Sequence, residues 1–129
     1  MKQIVLLFAS IYGLIAVILG AFGAHLFKKI LTADKLQSFE TGTKYQMYHA
    51  IVLLVLGFYF SFNSTMEKSI IWCFIIGIFL FSGSIYFLSF ADFWNINLKF
   101  LGPITPLGGM LMIIGWLLLI IYFIKYKFQ

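Results

Sequence analysis

The residues best suited to chemistry in this sequence are its two histidines, His25 and His49. Tyr45 and Gln46 precede His49 by four and three residues, so on a helix these three side chains share one face. An imidazole can exchange a proton near neutral pH, ligate a metal ion, or join a hydrogen-bond network. We therefore predict one inward-facing polar cluster, formed by His25, Tyr45, Gln46 and His49.

Three interpretations of this cluster differ in what the imidazoles do. The leading one is a hydrogen-bond network that joins two helices, because polar side chains within a membrane face the protein interior or a cavity. The second is a functional site for a proton, an ion or a lipid headgroup. The third is ligation of a metal ion or haem by both histidines. Two histidines alone are a weak metal signal, and the only nearby carboxylates are Asp34 and Glu40.

The sequence carries no recognisable catalytic signature, since GxSxG, HExxH, P-loop and GxGxxG patterns are all missing. The acidic residues fall at predicted loops or interfaces; they are Asp34, Glu40, Glu67 and Asp92. The single cysteine, Cys73, excludes an internal disulfide and a CxxC site. The nine basic residues are scattered lysines, which argues against a nucleic-acid groove. We expect a protein that is not an enzyme and that binds no nucleic acid, metal or cofactor.

A strongly apolar composition determines the elements that position these residues. Hydrophobic residues make up 63% and charged residues 10% of the 129 positions, whereas soluble domains have roughly 45–50% and about 25%. Four stretches lack charged side chains, and each is long enough for a membrane span of about 20 residues; they are 3–27, 45–66, 69–91 and 100–124. We predict an all-α polytopic membrane protein, a single bundle of four transmembrane helices over residues 1–129. The predicted spans are 4–27, 45–62, 70–91 and 106–124.

Local signals predict where the helices begin. Thr32 is a candidate N-cap, and the polar segment 32–44 is predicted to be an interfacial helical stretch that continues into span two. Thr105 followed by Pro106 predicts that span four begins at Pro106. Spans one and two are antiparallel neighbours with a short connection. We therefore expect His25 and His49 at the same membrane depth.

Small residues recur along span one every three or four positions, at Ala9, Gly13, Ala16, Gly20 and Ala24. Such a stripe lets two helix backbones approach closely in lipid. Span four has a shorter version. The predicted helix-packing positions are Gly13, Gly20, Ala24, Gly108 and Gly115. The alternative is that the stripe of span one leaves room for a ligand.

Four strings in this order resemble the domain-of-unknown-function 423 family, also called uncharacterised protein family 0382, which is similar to the transmembrane protein 256 group. They are residues 20–25 (GAFGAH), 39–49 (FETGTKYQMYH), 81–86 (FSGSIY) and 101–109 (LGPITPLGG). The resemblance covers nearly the whole chain, although the family more often has Gly after the first His than the Leu26-Phe27 found here. It implies a bacterial inner-membrane protein with four helices, and it implies no reaction, substrate or cofactor.

Lysine counts do not orient the chain, because the two sides of a four-span protein would hold four and five lysines. Basic tails in relatives imply that both termini are cytoplasmic, so we expect a multi-pass protein of the cell membrane in that orientation. The favoured function is a non-enzymatic helical bundle whose polar cluster packs or binds a small ligand or lipid. Its expected partners are membrane lipids and a possible second copy of the chain. The alternatives are a small oligomeric transporter or channel component and a bis-His haem protein.

Overall fold

The computed structural model describes residues 1–126 and consists of four long helices joined by short loops. The helices are α1 (Lys2–His25), α2 (Ala33–Tyr59), α3 (Thr65–Phe90) and α4 (Ile104–Lys125). Short 3₁₀ turns follow α1 at Phe27–Lys29 and precede α4 at Lys99–Leu101. Residues 1–126 contain no strand, and the predicted all-α fold is confirmed.

Three segments are long and apolar enough to cross a membrane: Lys2–His25, Thr65–Phe90 and Lys99–Lys125. The remaining helix, α2, has 27 residues, so it is about 40 Å long. Polar side chains in its first half make it less apolar than the other three. Because α2 packs between α1 and α3, it is the fourth helix of the bundle.

The interfacial stretch and the second predicted span form one continuous helix. The Thr32 hydroxyl oxygen accepts a hydrogen bond from the backbone nitrogen of Lys35 at 3.4 Å, which caps the start of α2. The helix ends at Tyr59, three residues before the predicted end of the span, and Phe60 is extended. In the loop that follows, Phe62 has a left-handed backbone with a φ of 61°, so the chain turns there towards α3.

The start of α4 differs from the prediction. The helix begins at Ile104 with Pro103 as its N-cap, two residues before the predicted start at Pro106. Thr105 is not the cap, because it lies within the first turn of the helix, and its Oγ1 is instead 2.6 Å from Oγ of Ser84 on α3. Pro106 is accommodated in the first turn, where a backbone N–H has no helical partner to lose. A contact between helices thus replaces the predicted cap.

Packing follows chain order: α1 packs against α2, α2 against α3, and α3 against α4. Most of the largest fully buried side chains lie on the two central helices, including Phe39, Leu53, Ile70 and Phe74. The outer faces of α1 and α4 carry many exposed apolar side chains, for example Leu7, Val17, Ile113 and Ile124. Such faces suit contact with lipid.

The predicted packing positions differ in how closely they approach a neighbour. A Cβ built on Gly108 would collide with the backbone of Phe81, and one on Gly115 would lie 2.9 Å from the Phe74 ring. A Cβ on Gly20 would make ordinary contact with Thr43 at 3.5 Å, and one on Gly13 would meet nothing within 4 Å. The fifth position is exposed; it is Ala24. On α1 the buried small residues are instead Ala9, Ala16 and Gly23.

Candidate functional site

Gln46 joins three helices through its side-chain amide. It lies on α2 and is 3% exposed. Its Nε2 donates to the backbone oxygen of Tyr12 on α1 at 2.8 Å. Its Oε1 accepts from the hydroxyl of Tyr86 on α3, also at 2.8 Å. Both ends of the amide are therefore paired with groups on other helices.

His49 joins α2 to α4. Its Nε2 accepts a hydrogen bond from the indole Nε1 of Trp116 at 3.2 Å. An indole nitrogen can only donate, so Nε2 carries no proton in this arrangement. The proton then lies on Nδ1, which donates to the backbone oxygen of Tyr45 at 2.8 Å. The contacts therefore describe a neutral imidazole with both nitrogens paired.

These residues form one central polar cluster, which we define as Tyr12, Gln46, His49, Tyr86 and Trp116. The Tyr12 hydroxyl extends it by donating to the backbone oxygen of Ile75 on α3 at 2.8 Å. Each of the four helices contributes at least one member. The arrangement can hold the helices in a fixed register, because each bond between two helices requires a particular alignment of them.

Of the predicted cluster, Gln46 and His49 lie together, whereas Tyr45 contributes mainly its backbone oxygen. The Tyr45 side chain is 44% exposed, and its ring centroid lies 6.2 Å from that of His49.

His25 lies apart from the central polar cluster. It is the last residue of α1 and is exposed. Gly23 faces Phe39 and Gly20 faces Thr43 across the antiparallel pair. This register puts His25 about 11 residues, or roughly 17 Å, from the level of His49 at 1.5 Å per residue. The prediction that the two histidines share one depth was wrong, and the separation removes the ligand pair considered for a metal or haem.

Three members of the cluster were not identified from the sequence: Tyr12, Tyr86 and Trp116. A signal for them was available, since Tyr and Trp in the middle of an apolar span bring a polar group that needs a partner when buried. Their partners depend on how neighbouring helices align, which spacing within one helix does not reveal.

A lateral groove of about 290 Å³ adjoins the cluster between α2 and α4. His49 lines it together with Tyr45, Phe81 and Trp116. The groove is largely apolar, and the imidazole nitrogens at its inner wall already have partners. It offers space next to the cluster, but no unpaired imidazole nitrogen.

A second candidate site lies at the end of the bundle that carries the α1–α2 and α3–α4 connections. Two cavities of about 580 and 230 Å³ meet there and share Lys35 and Asp92 in their walls. We call them together the loop-end cleft. Its polar and charged lining includes Lys35, Ser89, Asp92, Asn95, Asn97 and Lys99.

The polar groups of the loop-end cleft are incompletely paired. Nζ of Lys35 lies 3.8 Å from Oδ2 of Asp92 and 3.5 Å from the backbone oxygen of Leu88. Both distances are longer than the 2.7–2.9 Å typical of a charge-assisted hydrogen bond. Ser89 is 2% exposed, and its hydroxyl has no hydrogen-bond partner within residues 1–126. It is the one buried side-chain polar atom in that part of the chain left without a partner.

Aromatic packing holds the wall of the cleft in place. Phe27, in the turn after α1, meets Phe39 and Phe90 edge-to-face at 5.1 and 4.9 Å between ring centroids. Edge-to-face pairs at this distance are favourable. They fix the end of α3, on which Ser89 lies, against the start of α2, on which Lys35 lies.

The opposite end of the bundle holds a buried carboxylate. Glu67 is 4% exposed, and its Oε1 accepts from the Tyr122 hydroxyl at 2.9 Å while its Oε2 accepts from the Ser64 backbone nitrogen at 3.3 Å. One oxygen therefore fastens α4 to the start of α3, and the other caps the start of α3 itself. No group of three or more potential metal-ligating side chains occurs among residues 1–126.

Known relatives cover almost the full length of this chain. A UPF0382 membrane protein of Staphylococcus epidermidis is 38% identical over 124 residues, which span 96% of this chain and 98% of that protein. UPF0382 membrane protein YwdK of Bacillus subtilis is 38% identical over 126 residues, which span 96% of this chain and 98% of that protein. UPF0382 inner membrane protein YgdD of Escherichia coli is 34% identical over 133 aligned positions, which span 98% of this chain and 93% of that protein.

No solved structure matches the chain. The family model described as "Protein of unknown function (DUF423)" matches residues 19–109. That range contains Gln46, His49 and Tyr86 of the central polar cluster, and Lys35 and Ser89 of the loop-end cleft. The match and the relatives agree with the resemblance carried by the four sequence strings. The chain is therefore an integral membrane protein that belongs to the DUF423 family of UPF0382 membrane proteins.

Proposed function

We propose that this chain is a non-enzymatic membrane protein that binds a lipid in the loop-end cleft, while the central polar cluster fastens its helices. The observation that carries the proposal is the buried, unpaired hydroxyl of Ser89, a residue that lines one cavity together with the loosely paired Lys35 and Asp92. Buried polar groups are normally paired. An unpaired hydroxyl on a residue that lines a cavity therefore supports a ligand as its missing partner.

The central polar cluster fits the packing part of this proposal. Both ends of the Gln46 amide and both nitrogens of His49 already have partners. A ligand at either residue would have to displace a hydrogen bond between helices. The cluster therefore supports a role in holding the bundle together rather than in binding.

The loop-end cleft fits the binding part. Its larger cavity, about 580 Å³, is of ordinary ligand-site size. Charged and polar side chains line it beside apolar residues such as Ile96 and Leu98. An amphiphile meets both kinds of surface at once. The cytoplasmic location of both termini that we propose from the family resemblance would put this cleft on the extracytoplasmic side.

Native mass spectrometry of the purified chain, equilibrated with mixed bacterial phospholipids, tests this proposal. We expect the wild type to retain one lipid, and Ser89→Ala and Lys35→Ala to lose most of it. Matched controls are Ser10→Ala and Lys68→Ala, which change exposed residues outside the cleft. Equal retention by all five proteins, or none by the wild type, would refute the proposal. The same spectra report the number of subunits, on which the alternative of an oligomeric transporter depends.

Ser89→Ala also separates a binding role from a structural one. The substitution removes a buried hydroxyl that has no partner, so without lipid the variant should be as stable as the wild type or slightly more stable. Lower stability without lipid would mean that the hydroxyl serves the fold. Loss of lipid together with unchanged stability is the result that the proposal requires.

A further inference from the structure

We infer that the loop-end cleft selects a phospholipid headgroup that carries both a phosphate and a primary ammonium group. This inference rests on the proposed function and names its ligand class. Its starting point is the mixture of charges in one cleft, where Lys35 and Lys99 are cationic and Asp92 is anionic. A zwitterionic headgroup is the membrane component that complements both signs.

The phosphate side of the site is formed by Lys35 and Ser89. The Lys35 ammonium has three donors, and its two protein contacts are long, at 3.5 and 3.8 Å. Ser89 lines the smaller cavity together with Lys35, and its hydroxyl is a further donor without a partner. Phosphate oxygens are strong acceptors and suit such a set of donors. Lys99 adds a second positive charge in the larger cavity.

The ammonium side of the site is formed by Asp92. Its side chain is 84% exposed, and Oδ2 lies 3.8 Å from the Lys35 Nζ, so the carboxylate has room for a closer partner. A primary ammonium can donate hydrogen bonds to a carboxylate, whereas a quaternary ammonium has no N–H to give. The carboxylate therefore favours a primary over a quaternary amine. A purely anionic headgroup has no cation with which this carboxylate could pair.

The surroundings of the cleft favour a lipid over a free, water-soluble phosphate. Ile30, Leu31 and Phe93 line the smaller cavity, while Ile96 and Leu98 line the larger one. These apolar side chains lie beside the charged ones at the end of an apolar bundle. They suit the glycerol and the first part of the acyl chains, which a free phosphoethanolamine lacks.

Competition binding in detergent tests the headgroup class. The probes are phosphatidylethanolamine, phosphatidylcholine and phosphatidylglycerol with identical acyl chains, together with free phosphoethanolamine. We expect the wild type to bind phosphatidylethanolamine about tenfold more tightly than the other two lipids, because one charge-assisted hydrogen bond distinguishes them. Asp92→Asn should abolish that preference, and Lys35→Gln should weaken the binding of all three lipids. Lys68→Gln, the matched control, should change nothing.

The outcomes separate this inference from the proposed function. If the wild type binds all three lipids equally, and Ser89→Ala weakens the binding of all three, the proposed function holds and the headgroup inference fails. If no lipid binds more tightly than the detergent itself, the proposed function fails. A preference that survives in Asp92→Asn would also overturn the assignment of the ammonium to Asp92. Equal competition by free phosphoethanolamine would support the headgroup chemistry and overturn the lipid as its source.

Discussion

Gly108→Ala should be the most damaging single-methyl change in the bundle. A Cβ at this position would lie 2.8 Å from the Gly77 backbone oxygen and the Phe81 Cα, and still closer to the Phe81 backbone nitrogen. All three are backbone atoms of α3, so no flexible side chain can move aside. The two helices would have to separate by at least 0.6 Å, the difference between 2.8 Å and the 3.4 Å at which ordinary contact begins.

The cost of this separation falls on the whole interface between α3 and α4. Phe74, Ile78 and Met112 are buried there, and a gap of 0.5–1 Å loses about a quarter to a half of each dispersion contact. Overpacking of a well-packed core costs roughly 1–3 kcal/mol. We expect Gly108→Ala to lower the free energy of unfolding by about 2–3 kcal/mol, towards the upper part of that range because backbone must move.

Unfolding in mixed micelles with an increasing fraction of sodium dodecyl sulfate, followed by circular dichroism, measures this loss. Gly83→Ala is the matched control, since it adds the same methyl group to α3 at a position where a Cβ meets nothing within 4 Å. It should cause no loss of stability. The reasoning is refuted if Gly108→Ala lies within about 0.5 kcal/mol of the wild type, the range usual for surface substitutions, or if both variants lose the same amount.

Three further predictions concern the central cluster and the topology. Gln46→Leu and Tyr86→Phe should each lower the unfolding free energy, with a coupling of about 0.6 kcal/mol in a double-mutant cycle; additive effects would contradict the 2.8 Å bond between them. His49→Leu should insert and fold with a small loss of thermal stability, and an unfolded product would show that the imidazole contributes more than its two hydrogen bonds. Reporter domains fused near Asp34 and after Lys125 should give opposite signals, with the Lys125 fusion cytoplasmic; a periplasmic signal from that fusion would reverse the orientation.

Apolar stretches in the sequence predicted the helical bundle well, because the cost of charges in lipid confines them to helix ends and loops. Helix boundaries were less predictable where a distant partner decides them. Thr105 has the residue type of an N-cap, yet its hydroxyl pairs with Ser84 across the interface. The start of α2 at Ala33 agrees with the predicted cap at Thr32, whereas its end at Tyr59 falls three residues before the predicted end of span two.

The candidate site was predictable only within one helix. The spacing of Gln46 and His49 correctly indicated a shared face, because three residues make almost one helical turn. The depth of His25 was not predictable in this way. Both histidines belong to the first hairpin, but α2 begins 16 residues before His49, so its polar first half separates the two. The unpaired hydroxyl of Ser89 likewise depends on the folded structure, since a helical serine commonly bonds to its own backbone.

The position of α2 in the bundle follows from its polarity. A polar group that faces lipid without a partner costs several kcal/mol, so the least apolar helix is the one that most needs neighbours on both sides. α2 lies between α1 and α3, and Gln46 uses both of these neighbours while His49 reaches α4. The more apolar α1 and α4 have fewer polar groups to pair and can expose one face to lipid. The same hydrogen bonds that make α2 compatible with the membrane therefore also determine which helices lie next to it.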